Sequence, residues 1–318
     1  MRSLDIAGRR IDDHSSCYVI AEVGHNHGGS VDTAVKMIRV AAAAGADAVK
    51  LQKRQNHTLY SESILNAAYE NENSFGKTYG EHREALELGA ADYSACMSAA
   101  KDANVTCFAT AFDEPSVDFL VSIGVPALKI ASGGLTDKRL LRHAALSGLP
   151  IILSTGGGTF KEIDAAVELV TCYTHKLAIL HCTAAYPVRD FAELNLKCIV
   201  AMRERYPEFV IGWSGHDSGI AMSVAAYTLG ARIIEKHFTL NRANKGTDHA
   251  FSLEPAGLGK LVRDLGRAHA ALGDGQKRYL ASEVAPISKM RRRECPDGTW
   301  KITGAKDEPS RDPLSPPA

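Results

Sequence analysis

Eight short runs of hydrophobic residues recur along the chain, and most of them end in a polar residue. They are CYVIAEVG (17–24), AVKLQ (48–52), VTCFATAFD (105–113), ALKIAS (127–132), IILSTGG (151–157), LAILHCT (177–183), FVIGWSGH (209–216) and RIIEKHFT (232–239). Alanine-rich amphipathic stretches such as VDTAVKMIRVAAAAG separate them, an alternation typical of parallel strands joined by crossover helices. No GxGxxG motif follows the first run, which disfavours an open dinucleotide-binding sheet. The pattern therefore predicts an α/β fold, a closed (β/α)8 TIM barrel.

A weak internal repeat indicates which strand residues face the inside of the barrel. AGADAVKLQ, IGVPALKIAS and LGARIIEKHF each place a glycine before a short hydrophobic strand that ends in charge. Aligning the glycines puts Glu235 where Lys50 stands. It also puts His237 where Gln52 stands. Because side chains alternate along a strand, we expect these four residues to face inward and Lys236 to face the helical layer.

The C-terminal ends of the strands carry the active site in a barrel enzyme. In this chain those ends hold polar and ionisable side chains, which are Glu22, Lys50, Gln52, Thr110, Asp113, Lys129, Ser132, Ser154, Tyr186, Ser214, His216, Glu235 and His237. Hydrophobic strands with polar ends on one rim are typical of a catalytic barrel.

Two segments depart from the repeating pattern. Residues 53–90 form a long polar excursion after the second strand, and segments of that length usually act as lids or binding loops or are poorly ordered. From residue 294 onward the chain is polar and rich in proline, a composition that predicts disorder. We therefore expect a catalytic barrel over residues 1–293 and a disordered tail over residues 294–318.

Composition excludes several classes of function. Lysine plus arginine and aspartate plus glutamate both number 37, so no global field attracts nucleic acid or an anionic membrane. The polar N-terminus and the lack of any long apolar run predict a cytoplasmic protein without a membrane span. The seven cysteines are scattered singly, which favours reduced core thiols over disulfides or a structural zinc site.

Two histidines at the ends of adjacent predicted strands are candidate metal ligands. His216 and His237 would converge in a barrel, and imidazole is the commonest metal ligand in proteins. A lone rim histidine more often serves only as a hydrogen-bonding group. Two of them beside Glu235 and Asp248 favour a divalent cation.

Two lysines occupy equivalent positions and predict an anion site. Lys50 and Lys129 each lie five residues after the glycine of their repeat and end an apolar strand. Most single lysines are solvent-exposed or ion-paired. Two on one rim, with nearby hydroxyl groups and the amides of STGGGT (154–159), are suited to a phosphate or carboxylate. Glu22 is a candidate general base, ligand orienter or metal ligand.

These motifs resemble the sialic acid synthase family, which includes N-acetylneuraminate, pseudaminate and legionaminate synthases. IAEVGHNHGG, GADAVKLQ, NSFGKTYGEHREALEL, LKIASG, ILSTG, LHCTAAYP, IGWSGHDSG and IEKHFTL match the family's motifs in order over residues 17–293. The resemblance implies a barrel that condenses phosphoenolpyruvate with an aldose such as N-acetylmannosamine, giving a 2-keto-3-deoxy sugar acid and phosphate. It also implies a possible homodimer.

The resemblance assigns expected roles to particular residues. A Mn²⁺ or Mg²⁺ ion would be held by His216 and His237. Phosphoenolpyruvate would contact Lys129, Ser132, Ser154, Ser214 and Thr110, with help from Lys50, and the sugar would contact Gln52, Tyr186 and Asp248. Glu22 would lie at the reacting centre.

The sequence departs from the family pattern near the expected sugar site. Gly134 stands where members usually carry an acidic residue, and Ala184 stands where they carry asparagine. Full-length members also carry a C-terminal antifreeze-like domain, whereas the barrel motifs here are followed by a short tail. A sugar-phosphate aldolase or isomerase and a non-catalytic binding homologue therefore stay as alternatives to the synthase.

Overall fold

The structure, a computed structural model, describes residues 2–304 and contains a closed barrel of eight parallel strands. The strands of the barrel are β3 (Tyr18–Gly24), β4 (Ala48–Lys53), β5 (Thr106–Ala111), β6 (Leu128–Ile130), β7 (Ile151–Ser154), β8 (Leu177–Cys182), β9 (Val210–Gly215) and β10 (Ile233–His237). They pair in chain order, and β10 closes the ring against β3. The predicted TIM barrel is confirmed, and each of the eight hydrophobic runs overlaps one strand.

Helices surround the barrel, and the longer ones bury one apolar face against it. They are α1 (Val31–Ala43), α2 (Asn56–Leu59), α3 (Glu62–Leu65), α4 (Tyr79–Glu84), α5 (Ala90–Asp102), α6 (Glu114–Ser122), α7 (Lys138–Leu146), α8 (Phe160–Thr171), α9 (Lys197–Arg205), α10 (Ala221–Thr228) and α11 (Pro255–Leu272). In α1 the buried positions are Ala34, Met37, Ile38 and Ala41, spaced three or four residues apart as one face of a helix requires. None of the described helices is long and apolar enough to cross a membrane.

The strand register brings distant polar residues to one level of the barrel. Glu22 is paired with Lys50 on one side and with His237 on the other. Glu235 is paired with Ser214 on the neighbouring strand. Because all eight strands run in parallel, the same end of each strand meets at one rim, and these side chains become neighbours there.

An N-terminal hairpin that the polar pattern did not predict precedes the barrel. Strands β1 (Ser3–Ile6) and β2 (Arg9–Asp12) pair antiparallel across a two-residue turn at Ala7 and Gly8, both with positive φ. Leu4, Ile6 and Ile11 are buried within the hydrophobic core. With only four residues per strand, the alternation was too short to recognise from the sequence.

The long polar segment after β4 is folded. It contains α2, α3 and α4, and Thr78 caps α4 by accepting from the Glu81 amide while Glu81 accepts from the Thr78 amide. A bridge between Ala68 and Thr78 closes the loop on itself. The segment is therefore not poorly ordered, and its role as a lid or a binding loop stays a prediction.

A second compact unit begins at Leu272, while the first comprises Met1–Ala271. The described part of the second unit contains α12 (Val284–Ser288) and a short hairpin of β11 (Arg292–Glu294) and β12 (Trp300–Ile302). The predicted tail starts within this hairpin, and residues 305–318 lie outside the described part of the chain. The predicted domain boundary at residue 293 stays a prediction.

Candidate active site

A cavity of about 520 Å³ opens where the barrel strands end, and all of the predicted site residues line it. They are Glu22, Lys50, Gln52, Thr110, Lys129, Ser132, Ser154, Tyr186, Ser214, His216, His237 and Asp248. The volume is within the usual range of small-molecule sites. The structure thus brings these side chains together, and their individual roles stay predictions.

Lys50 and Glu22 form a buried ion pair at the base of the cavity. The Lys50 ammonium lies 2.6 Å from Glu22 Oε2 and donates to Thr110 Oγ1 at 2.8 Å. Gln52 donates to the other carboxylate oxygen of Glu22 at 2.7 Å. Both members of the pair are almost fully buried, so their opposite charges compensate each other in a region of low dielectric.

Lys129 lies near a second buried carboxylate, that of Glu235. Its ammonium donates to Ser154 Oγ at 2.7 Å and to the Ile130 carbonyl at 3.2 Å. Glu235 Oε1 lies 3.9 Å from Lys129 Nζ and 3.7 Å from Lys50 Nζ. Burial lowers the pKa of Lys129 from its usual value, and Glu235 opposes that shift.

Glu235 is the carboxylate that connects the two lysines. Burial opposes its ionisation, but Lys129, Lys50 and then His237 outweigh burial and hold its pKa at about 2. Ser214 Oγ donates to Glu235 Oε1 at 3.0 Å, while Glu235 Oε2 is buried without a hydrogen-bond partner among the described residues. The alternation of side chains had placed Glu235 inward, and the structure confirms that orientation.

The hydroxyl of Ser132 is held near the lysines, but the neighbouring glycine-rich loop is not free to bind an anion. The Gly156 amide donates to Ser132 Oγ at 2.9 Å. The amides of Thr155 and Gly158 donate to backbone carbonyls. Thr159 caps α8 with its own side chain. The predicted use of the STGGGT amides is therefore weakly supported, because the amides of Thr155, Gly156, Gly158 and Thr159 already have partners within the protein.

His216 and His237 lie close together in the lining of the cavity, with their ring centroids 5.3 Å apart. The Nδ1 atom of His216 lies 3.0 Å from the Thr183 carbonyl, so it carries the proton and leaves Nε2 with a free lone pair. Burial and then His237 lower the pKa of His216 to about 3. This imidazole is therefore neutral near pH 7, as metal coordination requires.

The surroundings of His237 also fit a cation. Its Nδ1 atom is buried without a hydrogen-bond partner in the described structure and lies 3.6 Å from Asp248 Oδ2. No group of three or more candidate ligands is gathered within residues 2–304. The donor set is thus two imidazoles, which suits a cation that takes its remaining ligands from water and substrate.

Tyr186 borders the same region from the solvent side. Its ring centroid lies 4.2 Å from that of His216, and 54% of the residue is exposed. This places an aromatic face at the mouth of the cavity, next to the predicted cation.

Three lining residues with basic or aromatic side chains were missed by the sequence analysis. Arg54, Arg83 and Phe112 line the cavity together with the predicted residues. Arg54 lies two residues past the inward-facing Gln52, and this spacing was the one sequence signal that Arg54 also faces inward. Arg83 belongs to the long loop, whose path no periodic pattern could predict.

Neither of the two departures from the family pattern, Gly134 and Ala184, lines the cavity. Gly133 lines it, whereas Gly134 does not. A Cβ atom on Gly134 would lie 2.8 Å from Ile130 Cγ2 and 3.2 Å from Leu140 Cδ2. In this backbone conformation a side chain at position 134 would point into the core. The expectation that this position borders the sugar site is therefore not supported by the structure.

The fold and the site together define a class of protein. A closed parallel barrel whose strand ends hold two buried lysines, two buried carboxylates and a pair of close histidines is a barrel enzyme for a small anionic substrate.

Comparison with known proteins identifies the family. A sequence profile of the NeuB family matches residues 37–277, and the chain belongs to that family. The N-acetylneuraminate-9-phosphate synthase of Mus musculus is 37% identical over 283 residues, 89% of this chain and 79% of that protein. The N,N'-diacetyllegionaminic acid synthase of Legionella pneumophila is 36% identical over 284 residues, 87% of this chain and 79% of that protein.

A solved structure agrees with the family assignment. The N-acetylneuraminic acid (sialic acid) synthetase of Leptospira borgpetersenii, crystallised with citrate, superposes with a TM-score of 0.77 at 35% identity, covering 90% of this chain and 95% of that one. The predicted resemblance is confirmed, and the chain is a transferase of the sialic acid synthase type.

Proposed function

We propose that this protein condenses phosphoenolpyruvate with an aldose, giving a 2-keto-3-deoxy sugar acid and inorganic phosphate, with a divalent cation bound by His216 and His237. The observation that carries the proposal is the pair of buried lysines, Lys50 and Lys129, beside hydroxyl groups in one cavity. Phosphoenolpyruvate carries a phosphate and a carboxylate, and two ammonium groups with hydroxyl donors suit those two anions.

The lysines would hold phosphoenolpyruvate in a fixed orientation. Lys129 and Ser154 already share a hydrogen bond of 2.7 Å, and Lys50 and Thr110 share one of 2.8 Å. Each bond keeps an ammonium group directed into the cavity before substrate arrives. Because these ammonium groups are already in position, little rearrangement is needed when the substrate binds. They would therefore stabilise the transition state more than flexible lysines would.

The two histidines supply the donors for Mn²⁺ or Mg²⁺, since His216 is neutral and His237 has an unpartnered Nδ1 atom. A bound divalent cation would supply Lewis-acid polarisation of the aldehyde oxygen. Asp248 Oδ2 lies 3.6 Å from the same Nδ1 atom and would add negative charge beside the cation.

Glu22 is positioned to handle the proton of the attacking water. In the reaction, C3 of phosphoenolpyruvate bonds to the aldehyde carbon, water adds to C2, and phosphate leaves. The water must lose a proton to a base, and the Glu22 carboxylate is held at the cavity wall by Lys50 and Gln52. We assign general-base catalysis to this carboxylate.

The proposal is tested by incubating the protein with Mn²⁺, phosphoenolpyruvate and a panel of aldoses. Phosphate release and 2-keto acid formation are measured in parallel. We expect equal amounts of both products, and only when an aldose is present. Tight binding of phosphoenolpyruvate without turnover of any aldose, or phosphate release that needs no aldose, would overturn the proposal.

The cation assignment is tested by binding as well as by turnover. His216→Ala and His237→Ala should each weaken Mn²⁺ binding, measured by calorimetry and by electron paramagnetic resonance, and lower kcat/KM by about 100-fold or more. His143→Ala is the matched control, because that imidazole pairs with Asp118 in an exposed position. Full Mn²⁺ binding in both cavity variants would contradict the assignment.

A further inference from the structure

Lys236 and Asp217 form a buried ion pair between residues that are adjacent in sequence to the two candidate metal ligands. Lys236 precedes His237 on β10, and Asp217 follows His216 after the end of β9. The Lys236 ammonium donates to Asp217 Oδ1 at 2.8 Å and to the Asp217 backbone carbonyl at 2.5 Å. Both side chains are 1% exposed, and neither residue lines the cavity. The pair therefore lies outside the space that substrate would occupy.

The strand register fixes one of the two histidines but not the other. His237 belongs to β10 and pairs in register with β3. Strand β9 ends at Gly215, and the last register pair between β9 and β10 is Gly215 with Lys236. His216 follows that pair, and its carbonyl accepts from the Val188 amide in the segment after β8. The sheet alone therefore does not set the distance between the two imidazoles.

The two hydrogen bonds of Lys236 extend the contact between β10 and the chain after β9 beyond this last register pair. One of them reaches a backbone carbonyl, so the ammonium holds the main chain of Asp217 much as a further inter-strand hydrogen bond would. Because Asp217 is covalently joined to His216, the main chain of His216 is held as well. The Thr183 carbonyl, 3.0 Å from His216 Nδ1, then orients the ring.

Trp213 and Gly215 enclose the ammonium on the outer face of β9. The Trp213 side chain is fully buried, and its ring centroid lies 5.6 Å from Lys236 Nζ. A Cβ atom on Gly215 would overlap carbons of that ring, so the glycine leaves the space that the indole fills. The ammonium thus lies in an apolar environment, where a hydrogen bond is electrostatically stronger than in water.

Stability alone does not account for the burial of these two charges. Replacing a buried ion pair by apolar side chains of similar volume is often neutral or stabilising, because desolvation offsets the attraction between the charges. Asp217 Oδ2 is also buried without a hydrogen-bond partner among the described residues, so the carboxylate is only partly satisfied. Such a pair is better suited to fixing geometry than to adding stability.

We propose that the Lys236–Asp217 pair is a positioning element that holds His216 at the distance from His237 that a divalent cation requires. The inference rests on the proposed cation site and adds to it two residues that do not touch the cation. Loss of a group that supports a metal ligand typically weakens metal affinity by about 10- to 100-fold. The effect should therefore appear in the affinity and coordination geometry of the cation.

The first test replaces both charges with apolar side chains. Lys236→Met with Asp217→Leu removes both hydrogen bonds and leaves no unpaired charge, so the metal-free protein should unfold at about the urea concentration that unfolds wild type. The Kd for Mn²⁺, measured by calorimetry, should rise by about 10- to 100-fold. The electron paramagnetic resonance spectrum of the bound ion should change too. Wild-type Mn²⁺ affinity in this variant would overturn the proposal, and so would its failure to fold.

The second test keeps the hydrogen bonds and removes one charge. In Asp217→Asn the amide oxygen can still accept from Lys236, so the Kd for Mn²⁺ should stay within about 3-fold of wild type. The urea midpoint should nevertheless fall, because the buried ammonium then lacks a counter-charge. A merely structural pair would make affinity follow stability in both variants. An equal rise in Kd in Asp217→Asn and in the double variant would overturn positioning in favour of a charge effect.

An exposed ion pair between two helices provides the matched control. Arg205 Nε on α9 donates to Asp164 Oδ1 on α8 at 2.7 Å, and both side chains are exposed. Arg205→Met with Asp164→Leu should leave the Kd for Mn²⁺ as in wild type.

The test also separates failure of this inference from failure of the proposed function. A wild-type protein that binds no Mn²⁺ would overturn the cation site and this inference together. An Mn²⁺ affinity that falls in His216→Ala but not in the Lys236→Met, Asp217→Leu variant would overturn only the positioning role and leave the proposed condensation standing.

Discussion

The two sides of the cavity differ in how their charges are balanced and in which elements carry them. On one side, Lys50 and Lys129 belong to barrel strands and are compensated by Glu22 and Glu235. On the other side, Arg54 and Arg83 lie in the long loop, where the carboxylate of Glu87 is 3.0 Å from Lys53 and only 3.9 Å from Arg54. The two lysines on the strand side are thus matched by two carboxylates, whereas the two arginines on the loop side have one carboxylate nearby, and it has a closer partner.

The comparison teaches how a barrel can divide two tasks. Strand-borne groups are fixed by the sheet register, so lysines and carboxylates on different strands are held close to one another. Loop-borne groups depend on a segment that the barrel does not dictate, and there an unsatisfied charge can provide specificity. The predictions below test this difference in charge balance, from the largest expected effect to the smallest.

Removing one charge on the strand side should strongly destabilise the protein. Lys50→Met leaves Glu22 buried without its ammonium partner at 2.6 Å, and breaking such a pair costs about 3 to 5 kcal/mol. Urea unfolding measures this loss. The double variant Lys50→Met with Glu22→Gln should recover much of the stability, because no unpaired charge is then left. A cost below about 1 kcal/mol for the single variant would contradict a compensated strand side.

Acid should destabilise the fold through a buried neutral imidazole, His27, in the loop after β3. His27 is 3% exposed and accepts from the Gly29 amide, and burial lowers its pKa to about 4. Between pH 6.5 and 4 the unfolded chain takes up a proton that the folded imidazole does not. The free energy of unfolding should therefore fall as the pH decreases through that window, by ~2 to 3 kcal/mol from this residue.

Unfolding at pH 7.0, 5.5 and 4.5 measures this contribution when wild type and His27→Asn are compared. Asparagine keeps an acceptor for the Gly29 amide but does not titrate, so the variant should lose less stability in acid. His14→Asn serves as the control, since that imidazole is exposed. Identical pH dependence of wild type and His27→Asn would show that His27 is not buried in its neutral form.

Removing a charge on the loop side should have the smallest effect on stability. Arg83→Gln removes a guanidinium that has no nearby carboxylate in the described structure and that repels Arg54. We expect a change in unfolding free energy within about 1 kcal/mol. A loss comparable to that of Lys50→Met would mean that Arg83 is a structural partner, and the contrast between the two sides would fail.

Orientation on the strands could be predicted from the sequence because it depends on a local period. The repeat placed Glu235 and His237 inward and Lys236 outward, and the structure shows all three so. Lys236 is 1% exposed and donates to Asp217 Oδ1 at 2.8 Å, with its ammonium 5.6 Å from the Trp213 ring centroid. Lys236, which does not line the cavity, thus forms a buried structural ion pair with Asp217.

Features outside the strands could not be predicted in this way. The N-terminal hairpin is too short for its alternation to be recognised, although Leu4, Ile6 and Ile11 are buried. The STGGGT loop resembled an anion-binding turn, but hydrogen bonds within the protein occupy several of its amides. The direction of a Cβ atom at Gly134, toward Ile130, depended on the backbone conformation of one turn.

The sequence by itself determined the barrel, its strand order and the identity of the side chains at the strand ends. A period of two and a repeated strand-to-helix unit are local properties, and eight such units have one closed parallel arrangement available to them. The tertiary structure alone decided that Glu235 connects two lysines and that Arg54 and Arg83 meet across His25. Charge balance depends on distances between segments far apart in sequence, and no periodic pattern encodes those distances.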